Sequence, residues 1–291
     1  LLGIFDFGFF FLAYPPAVIL KDLVDPAINI VLLRFVPGAD KPTSNAYIKY
    51  SGLIKLSYFF VIFPMVLLTQ RPLSLLIFKQ LLLGLIPLIL ATAAVQSFAT
   101  FLSGIFRARK QFGIEALYTI AQPFLRLIFL GVIVYVNVIS VQTLLLTNLV
   151  AYLIIAFIAF YLITPEFFSA VIPKQIRHKV NKFIPPIIAS SATGTVTDRV
   201  NLYITNYYTD LASVGTLSAI TRLFTPVPQL AGALDSVFGS RFAGFQTADQ
   251  ANRYLKKAVL LSFLLGLGLI SSNVFIKPIL HLFGPTVANN S

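Results

Sequence analysis

KFIPPIIASSATGTVTDRVNLYITNYYTDLASVGTLSAITRLFTPVPQLAGALDSVFGSRFAGF, residues 182–245, decides what kind of fold this chain can have. It holds two apolar stretches, residues 183–203 and 214–238. Each is long enough to cross a bilayer, which takes about 20 residues. Between them lies only the short polar turn Asn206-Tyr207-Tyr208-Thr209-Asp210. Asp198 and Arg199 stand inside the first stretch, and Arg222 stands inside the second. Ionised groups at membrane depth are costly and face a bundle interior or a watery cavity. The hairpin is therefore a place where function is expected to show.

The rest of the chain agrees with a membrane setting. Of its 291 residues 57% are hydrophobic and only 11% charged, with a mean hydropathy of +0.87. A soluble domain carries about 25% charged residues. Eight apolar segments can be marked, at residues 4–33, 53–68, 78–94, 117–138, 144–163, 183–203, 214–238 and 258–276. The runs are too long for strands and do not alternate, so the expected fold class is all-α, a polytopic membrane helix bundle. The first segment exceeds one straight crossing and carries Pro15, Pro16 and Pro26. Proline removes a backbone donor, so this span is expected to be bent.

Lysine and arginine set the orientation. The connection after segment one carries Arg34, Lys41, Lys49 and Lys55, and the one after segment three Arg107, Arg109 and Lys110. Lys174, Arg177, Lys179 and Lys182 follow segment five, and Arg241, Arg253, Lys256 and Lys257 follow segment seven. The alternate connections hold only Arg71 and Lys79, with no basic residue in 137–143 or 205–212. The basic loops are expected to be cytoplasmic, with both ends of the sequence on the outer face. The net charge of +12 is accounted for by this rule and by anionic lipid headgroups, without nucleic acid.

The longest connection, residues 164–182, divides the chain into an N-lobe over 1–164, a cytoplasmic linker over 165–182 and a C-lobe over 183–291. A weak repeat supports two lobes. Arg34-Phe35 precedes Tyr47-Ile48-Lys49 as Arg241-Phe242 precedes Tyr254-Leu255-Lys256, and Pro16 and Asp25 are spaced as Pro226 and Asp235 are. Both copies run in the same direction through the membrane, a plan known among transporters. The chain starts at Leu1 in apolar sequence and ends at Ser291 without a stop-like boundary, so further membrane segments are expected at both ends.

No enzyme motif is found. The sequence lacks a phosphate-binding GxxxxGK[ST] loop, HExxH and GxSxG, and the outer loops are too short for a catalytic domain. The chain has no cysteine, and its two histidines, His178 and His281, are far apart in sequence. No catalytic residue, metal site or cofactor is expected. The informative residues are embedded polar ones: Lys21, Asp22 and Asp25 on segment one, Arg126 on segment four, Asp198 and Arg199 on segment six, and Arg222 on segment seven. A guanidinium keeps its charge and offers a planar fork of donors to phosphate oxygens. Arg222, Arg126, Arg199 and Lys21 are thus candidates to bind an anionic substrate, and Asp198, Asp25 and Asp22 to couple a cation. Asp198–Arg199 and Lys21–Asp25 can equally be internal ion pairs, and Arg126 can snorkel to an interface.

Asp198-Arg199, the aromatic turn, Ser213-Val214-Gly215 and Ala219-Ile220-Thr221-Arg222-Leu223 together resemble the middle of a polysaccharide-biosynthesis (O-antigen) flippase. That family belongs to the multidrug/oligosaccharidyl-lipid/polysaccharide (MOP) exporter superfamily. The resemblance implies about twelve to fourteen helices in two lobes, of which this chain would hold about eight, with the first helix and the last ones absent. It implies a multi-pass protein of the inner (cytoplasmic) membrane, acting as a monomer without a cofactor and working with membrane lipids and other polysaccharide-assembly proteins. Its substrate would be a polyprenyl-diphosphate-linked oligosaccharide moved to the outer leaflet by alternating access. A cation-coupled multidrug exporter of the same superfamily, a membrane glycan polymerase and a scaffold for glycan assembly are the competing readings.

The orientation has a direct check, because the chain has no cysteine of its own. Single cysteines introduced at Asn137 and Tyr208 should react with an impermeant reagent added outside intact cells, and those at Arg109 and Lys179 should not. Equal labelling at all four would overturn both the orientation and the segment count.

Overall fold

The computed structural model describes residues 4–79, 84–163 and 165–224, with a few positions between 252 and 266. All regular structure among them is helical. The C-terminal copy of the repeat, Arg241 to Tyr254 with Pro226 and Asp235, lies outside the described residues, as does His281. Contacts group the chain into residues Leu1–Gly215 and Thr216–Ser291, and the packing below is that of the first unit.

Segment one is a bent span made of two helices, α1 (Ile4–Asp22) and α2 (Asp25–Phe35). The break falls at Leu23-Val24 and not at Pro15-Pro16, which α1 absorbs within its length. Pro26 sits in the first turn of α2, where a missing N–H costs nothing because helix-initial donors have no intrahelical partner. The bend thus comes from a helix restarting on its proline.

Helix α3 (Lys41–Leu68) also starts with a proline in its first turn, Pro42, and continues through Pro64. The short α4 (Gln70–Phe78) follows and ends at Lys79, whose φ of 57° is left-handed. Then come α5 (Leu85–Ala108), α6 (Phe112–Tyr135) and α7 (Val141–Leu162), the last opened by a capping box between Ser140 and Thr143. A 3-10 turn at Pro165–Ser169 leads to α8 (Lys174–Tyr208) and α9 (Leu211–Phe224). Asp210 caps α9 by accepting the Ser213 N–H at 2.8 Å, and this bond holds its carboxyl below the usual value.

Several boundaries differ from those read off hydropathy, for one reason. The helices continue past the apolar core into the basic layer, so cationic residues assigned to connections belong to helices. Lys49 and Lys55 are inside α3, and Arg107 is in the last turn of α5. Segment three, expected at 78–94, is centred further on, at Leu85–Ala108, because the small and polar run Thr92 to Ser103 is buried rather than looped. At 35 residues α8 is about 52 Å long, well beyond a hydrocarbon core of about 30 Å. Among the described residues four helices, α3, α5, α6 and α7, are long and apolar enough to cross a membrane.

Helix α5 is the hub of the first unit, packing on α1, α2, α3, α6 and α7. No residue of α6 is buried, so its apolar surface faces outward, as suits a helix solvated by lipid. Side chains form two apolar clusters. One gathers Ile28, Leu32, Ile48, Leu102, Phe106 and Val180 toward the basic ends of the helices. The other gathers Leu12, Ala13, Phe59, Ile89, Leu145 and Val214 toward the opposite ends. Helices approach closely where side chains vanish: a Cβ on Gly8 would run into the carbonyl oxygen of Leu211, and one on Gly104 would lie 2.5 Å from Asn29 Oδ1. At the basic end, the linker is clamped to α3. Lys41 pairs with Glu166 at 2.7 Å, Lys49 donates to the Ala170 carbonyl at 2.9 Å, and the Tyr50 hydroxyl donates to Asn181 at 2.7 Å.

Candidate functional site: a polar layer between two apolar clusters

Between the two clusters, side chains of α2, α3 and α5 bring charge together at membrane depth. Ser97 stands about halfway along the 24-residue α5, roughly 18 Å from its first residue. Its hydroxyl donates to Asp25 Oδ1 at 2.5 Å. Lys55 Nζ meets the same oxygen at 2.7 Å and also donates to the Ser97 carbonyl at 2.6 Å. The Lys55 ammonium lies 5.5 Å from the centroid of the Phe101 ring. Asp25 is 2% exposed and Lys55 4%, so this is a fully desolvated ion pair.

The local reasons for this geometry are legible. The helix restart at Leu23-Val24 puts Asp25 in the first turn of α2, where a carboxylate faces the positive end of the helix dipole. Ser51, Lys55 and Tyr58 recur at helical spacing and carry a polar face of α3 into its apolar half. The Tyr58 hydroxyl donates to the Leu20 carbonyl at 2.8 Å, tying that face to the end of α1. Carrying two charges into hydrocarbon costs more than their attraction returns unless further hydrogen bonds complete the set. The completion here is partial. Asp25 Oδ2, Asn29 Oδ1, Ser51 Oγ and Gln96 Oε1 are buried without a hydrogen-bond partner among the described residues.

From the same turn of α5 a second polar chain leaves in another direction. Gln96 donates through Nε2 to the Tyr14 hydroxyl at 3.1 Å. Tyr14 bonds Tyr152, and the Tyr152 hydroxyl accepts from the Arg126 guanidinium. That guanidinium also lies over the Tyr152 ring, 4.6 Å from its centroid. With its amide oriented to satisfy both ends, Gln122 accepts from the Tyr152 hydroxyl at 2.8 Å and from Arg126 Nε at 3.1 Å. Arg126, Tyr152, Tyr14 and Gln96 thus span α6, α7, α1 and α5, and meet Ser97, Asp25 and Lys55 at neighbouring residues.

Two candidates read separately in the sequence, Asp25 and Arg126, therefore share one polar layer. Several pairings change. Asp25 pairs with Lys55, which sequence reading had placed among the loop cations, and not with Lys21. Lys21 forms its ion pair with Asp22, half-buried at the end of α1. Arg126 does not snorkel; it turns inward onto Tyr152. Arg199 lies half-buried in α8, the helix that also holds Asp198. Arg222 is on the last turn of α9, in a different region of the chain from this layer.

A buried carboxylate–ammonium pair with an unused carboxylate oxygen can exchange one cation for another. A proton or small cation arriving at Asp25 competes with Lys55, and the ammonium must then find other acceptors. The chemistry is that of charge substitution, with no nucleophile or reacting bond involved.

No family model matches the sequence, and no curated protein matches it. Solved structures do. The inward-facing conformation of a multidrug resistance MATE family transporter of the MOP superfamily superposes with a TM-score of 0.74 at 16% identity, over 97% of this chain and 69% of that one. An outward-facing conformation of such a transporter gives 0.72 at 15% identity, over 97% and 67%. A point mutant of a MATE protein gives 0.59 at 14% identity, over 97% and 66%. The chain spans about two thirds of the length of these proteins.

The ion pair makes a stability prediction. Asp25→Asn or Lys55→Met alone should each lower unfolding stability by about 3–5 kcal/mol, because each leaves a buried charge unpaired. The double variant should recover most of that loss, as judged by thermal unfolding of the purified protein in detergent. Losses that simply add would show that the two side chains do not act as a pair. What the comparison and the apolar helices establish together is that this chain shares the all-helical fold of those MATE transporter structures and carries helices long and apolar enough to cross a membrane.

Proposed function

We propose that the chain is a membrane translocase that moves a lipid-linked oligosaccharide with a polyprenyl-diphosphate anchor by alternating access. The observation that carries the choice of an anionic substrate is Arg126. Its guanidinium is half-buried and held against α7 by Tyr152 and Gln122, and no carboxylate lies within ion-pair distance of it among the described residues. A positive charge fixed in this way, with only neutral partners, suits phosphate oxygens and disfavours organic cations. Arg199 and Arg222 remain candidates for the same anion elsewhere in the chain, and Lys21 is weakened as one by its pairing with Asp22.

In this reading Asp25 couples the cycle to a cation. Occupation of the carboxylate by a proton or small cation releases Lys55 and changes how α2 and α3 are held on α5. Asp22 is spoken for by Lys21, and Asp198 is a second candidate on α8. A multidrug exporter is the second reading, favoured by the description of the MATE structures that share the fold.

Purified protein in vesicles can decide between them. Vesicles loaded with a fluorescent polyprenyl-diphosphate oligosaccharide should flip it, and Arg126→Gln should slow flipping about tenfold or more, the loss of one charged hydrogen bond. Arg126→Lys should fall in between, since it keeps the charge and loses the planar fork. Transport of an organic cation with no flipping, unchanged in Arg126→Gln, would establish the exporter reading instead.

A further inference from the structure

Away from the polar layer, α1, α4, α5 and the end of α8 enclose a groove of about 600 Å³. Its walls are aliphatic, with Leu20, Leu76, Ile77 and Leu90 facing one another, and tyrosines 203 and 207 border it on α8. Apart from its three tyrosines, of which Tyr203 has a buried hydroxyl without a partner, such a surface offers little to a glycan or an ion, and water gains little where polar partners are few. Hydrocarbon is the ligand whose chemistry fits. The groove's lining on α4, α5 and α8 lies toward the ends of those helices that carry few basic residues.

A cation stands at its mouth. Lys79 ends α4 in the left-handed region, with φ of 57°, a position usually taken by glycine or asparagine. From there its ammonium reaches across to α8 and donates to the carbonyls of Tyr207 at 3.1 Å and Thr209 at 3.4 Å. An ammonium has three donors, so one remains for an anion. Among the described residues no carboxylate forms an ion pair with it. Tyr207 belongs both to the groove and to this contact, which puts the charge beside the opening.

We infer that the groove seats one acyl chain of an anionic phospholipid whose phosphate is bound by Lys79. The site would hold a resident membrane lipid at the seam between α4 and α8, and it does not depend on what the protein transports. A zwitterionic phospholipid has the same chains but a compensated headgroup, so discrimination between the two reports the lysine. One basic residue close to a headgroup supplies a preference of about fivefold.

The chain has no tryptophan, so a single introduced one is a clean reporter. Leu76→Trp places it at the groove, Tyr208→Trp is a second, more conservative reporter there, and Phe124→Trp places a control on the outward surface of α6. Each full-chain variant is reconstituted in vesicles containing either phosphatidylglycerol or phosphatidylcholine with brominated acyl chains, which quench nearby tryptophan. At the groove, brominated phosphatidylglycerol should compete about fivefold better than brominated phosphatidylcholine. Adding Lys79→Gln should bring that ratio to about one, and the control on α6 should show no preference throughout. Equal quenching by both lipids at the groove reporters, a preference that survives Lys79→Gln, or no quenching at the groove by either lipid would each overturn the inference.

Discussion

One ion pair sets the terms for the rest of the first unit. Asp25 and Lys55 are an ionisable, desolvated pair within the helical bundle, where an unpaired charge would cost several kcal/mol. Their partners must therefore arrive in register. Helix α2 has to restart so that its first turn presents Asp25, α3 has to run on past the apolar core so that Lys55 is inside, and α5 has to bring Ser97 between them. The two apolar clusters stand on either side of this layer, and α5 passes through both. Packing on α5 thus fixes where the charges meet, and the charges fix the rotation of α2 and α3 about their axes.

Under the proposed function, the same layer would let a structural feature serve transport. Apolar packing has one best arrangement and resists change. In the proposed cycle an ion pair with an unused carboxylate oxygen can instead take up an added cation, which leaves the layer with one net positive charge carried by the released ammonium. In that cycle Asp25 would hold either Lys55 or an added cation, and the choice would alter how firmly two helices are tied to the hub. The Tyr14–Tyr152–Arg126 chain begins in the neighbouring residue of α5, so a change of rotation there is felt at a guanidinium on α6. In that proposal the coupling would pass through the one helix turn of α5 that holds both Gln96 and Ser97.

Much of the fold was legible in the sequence because hydropathy is a strong signal in an apolar helical chain. All-helical class, the bent first span and the short turns near 137–143 and 205–212 follow from apolar run lengths and Pro26. The candidate site was only half legible. Asp25 and Arg126 stood out as charges in apolar sequence. Lys55 did not, because it lies close to a basic connection and hydropathy began its helix at Leu53 when the helix starts at Lys41. Gln96 and Ser97 were hidden likewise by ending the third segment at Ala94. The missed signal was the helical spacing of Ser51, Lys55 and Tyr58, which marks a buried polar face even where the average hydropathy is low. Which acid pairs with which base is a matter of tertiary geometry, so Asp25 could not be assigned to Lys55 over Lys21 from order along the chain.

The central claim is that the Asp25–Lys55 pair is the point at which a cation gradient acts. The direct measurement is transport by reconstituted protein with and without an imposed proton or sodium gradient, comparing the native chain with the Asp25→Asn/Lys55→Met double variant at equal folded abundance. The account predicts that the native rate responds to one of the two gradients, and that the double variant still moves substrate downhill but at a rate indifferent to both. A double variant that responds to the gradient as the native chain does would contradict it, and the pair would then be a fixture of the fold alone.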